Sequence, residues 1–365
     1  MTELATSVSA EGLDPDLLVQ VTGLRKSFTL RSRGQRRGGP LLAAVADVDL
    51  SIRRGETLGL VGESGSGKST TARCLLRLTE PDAGQILFAS RALGRSSASE
   101  GSRERVVDVG TLSGAELRRL RRDMQIVYQD PYASLNPRMT VGDAISEPLA
   151  EHDLVPPADR AARVAELLRM VGLGPEHAVR YPHGFSGGQR QRVGIARALA
   201  LDPTFLVLDE PVASLDVSVQ GQILNLLADL KESLGLTCLF IAHDLQVVRH
   251  VSDRIAVMYL GKVVELTSRD GLFGQPLHPY TTALLSAIPV PDPVVERRRR
   301  RIVLTGDLPS AAAVPEGCRF SSRCPIARDR CHRDEPPLAE LAPSHWVACH
   351  YPGELAVDGS RRGSG

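Results

Sequence analysis

The feature that most constrains this chain is the run Gly62-Glu63-Ser64-Gly65-Ser66-Gly67-Lys68-Ser69-Thr70. An apolar stretch of strand length, Thr57-Leu58-Gly59-Leu60-Val61, leads into it, and a helix-compatible stretch beginning at Thr71 follows. The pattern G-x-x-x-x-G-K-[ST] between a strand and a helix is a phosphate-binding P-loop. Glycines let backbone N–H groups curl around an anion without Cβ clashes, and the helix start adds partial positive charge. In that frame Lys68 reaches the β- and γ-phosphates and the Ser69 hydroxyl ligates Mg2+. The plain alternative is a Gly/Ser-rich turn that matches by accident; the strand–loop–helix context argues against it. The motif says nucleoside triphosphatase, and leaves open which kind.

Length and charge narrow the field. A chain of 365 residues holds two domains, or one large domain with an appendage. A formal net charge of +1 provides no global field for nucleic acid, which is not expected as a partner. Apolar runs are of strand length, well short of a membrane span. The first sixteen residues carry neither the basic start nor the apolar core of a secretory leader, so a cytoplasmic setting is expected. The six cysteines are therefore not read as disulfides by default.

Taken in order, residues 1–17 read as a polar disordered tail. Strand-like runs from Leu18 and from Ala43, with a basic Gly-rich loop over 31–40, suggest an antiparallel flap beside a parallel core. Residues 90–114 read as a surface insertion without function. Met124 to Tyr128 makes a buried strand. Val164, Leu167, Leu168 and Val171 recur at helical spacing within a helical subdomain over about 130–200. The α/β rhythm returns from Phe205, with a hairpin around Gly261, and is lost past Asp270, where a domain boundary is placed. The expected fold is α/β: a P-loop core with an antiparallel flap, an inserted helical subdomain and a small Cys-containing C-terminal domain.

Asp209-Glu210 closes an apolar run that fits a parallel strand buried on both faces. Ligands of such sheets bind at the carboxyl ends of strands. The P-loop, Gln129 and His243 also stand at strand ends, so four tips converge on one phosphate site. The expected roles are Asp209 for Mg2+, Glu210 as general base for water, Gln129 touching both Mg2+ and that water, and His243 on the γ-phosphate. Each alone has a bland reading as a loop cap. Ser186-Gly187-Gly188-Gln189 is a second glycine-rich helix start, either a plain N-cap or a spare anion cradle. The spare-cradle reading calls for a dimer in which each spare closes the partner's site.

These segments occur in the order and rough spacing of the ATP-binding-cassette (ABC) ATPases, which the chain resembles over about residues 18–270. The correspondences are Walker A (62–70), the Q-loop (Gln129), the signature (Phe185 to Gln189), Walker B (Leu206 to Glu210), the D-loop (Ser214-Leu215-Asp216) and the switch histidine (His243). The resemblance implies ATP and Mg2+ as ligands, Phe28 as the aromatic against adenine, and Ser186 to Gln189 with Asp216 serving a partner's ATP. Phe185 stands where leucine is usual, and Ala213-Ser214 where Ser-Ala is common; neither change removes a chemical group.

A narrower resemblance is to dipeptide/oligopeptide importer ATPases, carried by Gln129-Asp130-Pro131-Tyr132-Ala133-Ser134-Leu135-Asn136-Pro137-Arg138 and by Pro276-Leu277-His278-Pro279-Tyr280-Thr281. Ser286 to Pro293 together with Tyr181-Pro182-His183 resembles the F-type member of a D/F pair. It implies a D-type ATPase partner, two transmembrane permeases, an extracytoplasmic peptide-binding protein, and a place on the cytoplasmic face of the membrane. Nickel, glutathione or another small solute as cargo, a non-transport ABC ATPase and a regulatory Fe–S sensor are the rivals. Cys318, Cys324, Cys331 and Cys349 crowd a loop-rich extension over 271–353, ahead of a disordered tail over 354–365. Zinc knuckles of C-x-x-C form are absent. A [4Fe–4S] cluster, which this region's resemblance implies, stands beside zinc, a disulfide or free thiols. The arginine run 297–301 reads as a solvated linker.

Overall fold

The computed structural model describes residues 13–29, 39, 41–94, 104–132, 134–289, 292, 301–304 and 314–355. Most of the loop over 31–40, arginines 297–300 and the last ten residues lie outside them. Two sheets share the work. The first is antiparallel, with strands β1 (Leu17–Thr29), β2 (Leu41–Arg53), β4 (Ala83–Ser90) and β5 (Arg105–Asp108) in the order β2-β1-β4-β5. The second carries eight strands. Its parallel centre is β9 (Arg254–Tyr259), β3 (Thr57–Val61), β8 (Thr237–Ala242), β7 (Phe205–Asp209) and β6 (Met124–Val127), in that order. Antiparallel β10 (Lys262–Ser268), β12 (His345–Val347) and β11 (Ala339–Ala342) extend it beyond β9.

Burial explains the strand sequences. All residues of β3, β7, β8 and β9 are buried, which demands apolar side chains on both faces. Helix α1 (Lys68–Leu75) follows β3, and the short α2 (Arg91–Gly94) and α3 (Gly114–Leu120) flank β5. The helical subdomain consists of α4 (Val141–Glu151), α5 (Arg160–Met170) and α6 (Gly187–Leu199), whose Ile145, Leu149, Leu167, Leu168 and Val193 are buried in one core. Helices α7 (Val217–Leu234) and α8 (Leu245–Val251) cover the parallel sheet. Gly59 permits the approach of α8: a Cβ there would stand 2.4 Å from Val248 Cγ1 and 2.6 Å from Ser252 Oγ. The flap packs on the other face, with Phe88 and Phe205 ring centroids 6.3 Å apart.

Three expectations need correction. Leu13 is buried and β1 begins at Leu17, so packed structure lies inside the segment read as a polar tail. Residues 104–112 are not a surface insertion, because β5 pairs with β4 and Val107 and Val109 are buried. Their four-residue strand was too short for alternation to reveal. The third concerns the boundary near Asp270: packing does not stop there. Helices α9 (Arg269–Gly274) and α10 (Pro279–Ala287) lead into an extension whose β12 pairs with β10, and Tyr280 and Phe320 sit in the main core.

Buried charges weld that junction. Glu265, with no exposure, accepts the N–H groups of Leu277 and His278 and lies 2.7 Å from His345 Nε2. A fully buried carboxylate needs such partners, or its desolvation opposes folding. Arg254 and Glu56 make a second buried pair, at 3.2 Å, with the guanidinium 6.0 Å from the Trp346 ring.

Candidate functional site

The carboxyl ends of four adjacent parallel strands lie side by side, in the order β3, β8, β7, β6. The P-loop leaves β3 at Gly62, His243 follows β8, Asp209 and Glu210 stand at the end of β7, and Gln129 lies two residues past β6. Gly62 and Gly67 adopt φ values of +153° and +106°. A Cβ at Gly62 would stand 2.2 Å from the Met258 carbonyl oxygen, and one at Gly67 would stand 2.2 Å from that of Ala44. Only glycine lets the loop turn this tightly against β9 and β2.

Within this cradle Lys68 is buried. Its ammonium donates to the carbonyl oxygens of Gly62 (2.7 Å) and Glu63 (2.9 Å). Burial lowers its pKa, opposed by the nearby carboxylates of Glu210, Asp209 and Glu63. Ser69 Oγ donates to Asp209 Oδ1 at 2.8 Å, joining α1 to β7 across 140 residues of sequence. Burial raises the Asp209 pKa, and the Ser69 hydrogen bond pulls it back. Ser69 and Asp209 present hard oxygen donors beside a phosphate cradle, which suits Mg2+.

Glu210 is a non-glycine residue in the left-handed region, φ +50°, with its N–H donated to the Ile241 carbonyl at 3.0 Å. This turn carries its carboxylate off β7 toward the end of β8. There Oε2 lies 3.5 Å from His243 Nδ1. Strain of this kind, of order 1–3 kcal/mol, persists only where surrounding structure imposes it. Gln129 is exposed, and its backbone carbonyl accepts the Ser214 hydroxyl at 3.3 Å, so the segments around 129 and 214 touch. Phe28 is 40% exposed near the end of β1, with the Lys26 ammonium 5.6 Å from its ring centre. It lies opposite Leu42, two residues along β2 from the Ala44 carbonyl that backs Gly67.

Ser186, Gly187, Gly188 and Gln189 stand apart from this group. Ser186 caps α6 with a capping box: Ser186 Oγ accepts the Gln189 N–H and Gln189 Oε1 accepts the Ser186 N–H. Asp216 precedes α7 without capping it through its side chain, beside Val217 at 84% exposure. Among the described residues no hydrogen bond joins either segment to the P-loop.

Two residues of this region escaped sequence reasoning. The Glu63 N–H donates to the Tyr280 hydroxyl at 2.9 Å, and Arg323 grips the Glu63 carboxylate with two N–H groups, at 2.8 and 3.2 Å. Separations of 217 and 260 residues leave no local signal for either contact.

Two further cavities bear on the expectations. One of about 840 Å3 opens beside β6 and α4, with Tyr128, Leu135, Met139, Asp143, Glu147 and Arg197 among its walls. The other, much smaller, is lined by Cys318, Cys324, Cys331 and Cys349 together with His278 and Phe320. Burial raises the Cys318 thiol to about 11, the Cys349 thiol to about 12, and the Cys324 thiol in the same direction. All four cysteines are free. The sulfurs share one cavity, yet among the described residues no set of three or more His, Cys, Asp or Glu stands ready to hold a metal ion. Among the same residues no helix is long and apolar enough to cross a membrane.

Residues 45–213 match the ABC transporter family model, and residues 264–331 match that of the oligopeptide/dipeptide transporter C-terminal region. The chain is 49% identical over 336 residues to the oligopeptide transport ATP-binding protein AppF of Bacillus subtilis (strain 168), covering 92% of this chain and 97% of that one. Among solved structures it resembles the post-hydrolysis dimer of the ATP-binding cassette MJ0796 bound to ADP and Pi, with TM-score 0.56 and 29% identity. That match covers 69% of this chain and 99% of the cassette. It also resembles cbiO1 from Clostridium perfringens, part of the ABC transporter complex cbiONQ, with TM-score 0.56 and 28% identity over 71% of this chain and 91% of the other.

Proposed function

The chain belongs to the ABC transporter ATP-binding family, and from that premise we propose that it hydrolyses ATP to power import of di- and oligopeptides through separate membrane permeases. The observation that carries the catalytic half is the meeting of four strand tips. Ser69 and Asp209 touch at 2.8 Å, and Glu210 and His243 face each other at 3.5 Å, around one P-loop. The C-terminal match and the peptide-transport relative support the cargo.

In this reading Phe28 stacks against adenine, and the amides of residues 62–70 with Lys68 cradle the β- and γ-phosphates. Ser69, Asp209 and Gln129 hold Mg2+, which when bound neutralises phosphate charge. Glu210 takes the proton of the attacking water, and His243 orients that carboxylate and the γ-phosphate. Ser186, Gly187, Gly188, Gln189 and Asp216 serve the nucleotide of a second, D-type ATPase. The absence, among the described residues, of hydrogen bonds between them and this chain's own P-loop, and the exposed Val217 beside Asp216, support a paired arrangement. The 840 Å3 cavity beside the Gln129 segment receives a helix of a permease, which sets the protein on the cytoplasmic face of the membrane beside a peptide-binding protein's transporter.

Replacing Glu210 with Gln tests this. Hydrolysis is expected to fall by a factor on the order of 10²–10⁴, while ATP binding persists and the paired state is trapped on size-exclusion. Turnover near wild type in Glu210→Gln removes it as the base.

We further propose that Cys318, Cys324, Cys331 and Cys349 hold a [4Fe–4S] cluster. Four thiols around one cavity supply the donor set, and the raised pKa values of Cys318, Cys324 and Cys349 mean that binding displaces protons. Anaerobically purified full-length chain is expected to carry about four iron atoms and a broad visible absorbance, both lost in Cys331→Ser. Colourless, iron-free protein overturns the cluster.

A further inference from the structure

Glu63 is the most heavily tethered residue of the P-loop. All three of its polar groups are taken: the carbonyl accepts from Lys68, the N–H donates to Tyr280 Oη, and the carboxylate accepts the Arg323 fork. Two of these three partners belong to the C-terminal extension. We propose that Arg323, with Tyr280, is a positioning residue of the nucleotide site, neutralising and clamping Glu63 so that the P-loop accepts a polyphosphate. The inference rests on the ATP-binding reading of the P-loop.

Charge is the first reason. The Glu63 carboxylate occupies the second position of the loop, one residue from Gly62, and its charge acts on Lys68, whose ammonium donates to the Glu63 carbonyl. Left unpaired, it repels a nucleotide carrying several negative charges in a partly desolvated setting, where such repulsion is poorly screened. The Arg323 and Glu63 side chains are only 10% and 28% exposed, so neither is free to turn into solvent. A planar guanidinium making two parallel bonds also fixes the direction of the carboxylate, which a lysine cannot do.

Geometry is the second reason. Arg323 is itself over-determined. It follows Phe320, which is buried among Tyr259 (5.2 Å), Tyr280 (5.4 Å) and His278 (5.7 Å). Its Nη1 also lies 3.5 Å from the Tyr259 hydroxyl. A second track runs parallel to the first. Arg319 donates to the Leu260 carbonyl, and the next residue, Gly261, donates its N–H to the Ser66 carbonyl at 2.8 Å. The extension therefore grips the P-loop at both ends of its curve. Tyr280 adds a requirement of its own, since without an acceptor the half-buried Glu63 amide loses its partner.

The test is a double-mutant cycle in the full-length chain, read by equilibrium titration with a fluorescent ATP analogue and by the split between KM and kcat. Arg323→Ala is expected to raise the nucleotide Kd and KM by roughly tenfold, with kcat within about twofold. In the Glu63→Gln background the same Arg323→Ala change should shift Kd by less than about twofold, because the charge it balances is gone. Arg323→Lys should fall between. Wild-type Kd in Arg323→Ala overturns the proposal. So does an equal loss in both backgrounds, which would make the contact a matter of folding alone. If Arg323→Ala is thermally unstable, the charge-swapped pair Glu63→Arg with Arg323→Glu decides: recovered binding supports the proposal and none refutes it. Lys68→Ala separates the two readings. Undiminished ATP binding in that variant overturns the nucleotide site itself, independently of Arg323.

Discussion

The chain contains two glycine-rich runs ahead of helices, and they solve different problems. At residues 62–70 the glycines create curvature: Gly62, Gly65 and Gly67 take φ of +153°, +81° and +106°, and the loop backs onto the carbonyls of Met258 and Ala44. At residues 186–189 the glycines create closeness. Gly187 and Gly188 have ordinary helical backbones, and a Cβ on Gly188 would stand 2.4 Å from Val219 Cγ1 on α7. One run is enclosed and tethered from the flap, the hairpin and the extension. The other packs Gly188 against α7 and caps itself with Ser186 and Gln189. A glycine-rich helix start is therefore not one kind of site. The first is a cradle closed by contacts from distant segments, and the second is a self-capped helix start packed against α7.

Two substitutions bear on that contrast. Gly67→Ala should have the larger effect, because it imposes both a disfavoured φ and a backbone clash at 2.2 Å. Destabilisation of about 2–4 kcal/mol is expected by thermal or denaturant melting, together with loss of nucleotide binding. Gly188→Ala meets only the tip of one valine, so a cost of about 1–2 kcal/mol is expected. ATP binding by the isolated chain should survive, while, on the proposed pairing, hydrolysis by the two ATPases together falls by roughly tenfold; adding Val219→Ala should recover part of the stability. If Gly188→Ala instead abolished ATP binding by the chain alone, the two runs would be parts of one site and the contrast would collapse.

What could be read from sequence follows the range of the forces involved. Strand ends were legible because burial writes apolar runs, and a polar residue marks where each run stops at the carboxyl end of the sheet. Hence Gln129, Asp209, Glu210 and His243 stood out. Strand β11 carries no such signal, since all four of its residues are exposed. Nor did any pattern foretell that the extension continues the cassette's own sheet; that depends on Glu265 meeting His345 across 80 residues. The four thiols were visible as a cluster by count, and their shared cavity is a fact of folding. Arg323 was illegible for the same reason as His345: a guanidinium fork announces nothing about a carboxylate 260 positions away.

That distance has a temporal side. A ribosome adding on the order of 5–20 residues per second completes the P-loop long before it reaches Arg323, 260 residues later. For roughly ten to fifty seconds of synthesis the loop exists with its acidic residue unbalanced and its outer anchors unmade. On the clamp proposed above, a nascent cassette would hold nucleotide more weakly until Arg323 has been added, so the last step in finishing the loop belongs to a segment made well after it.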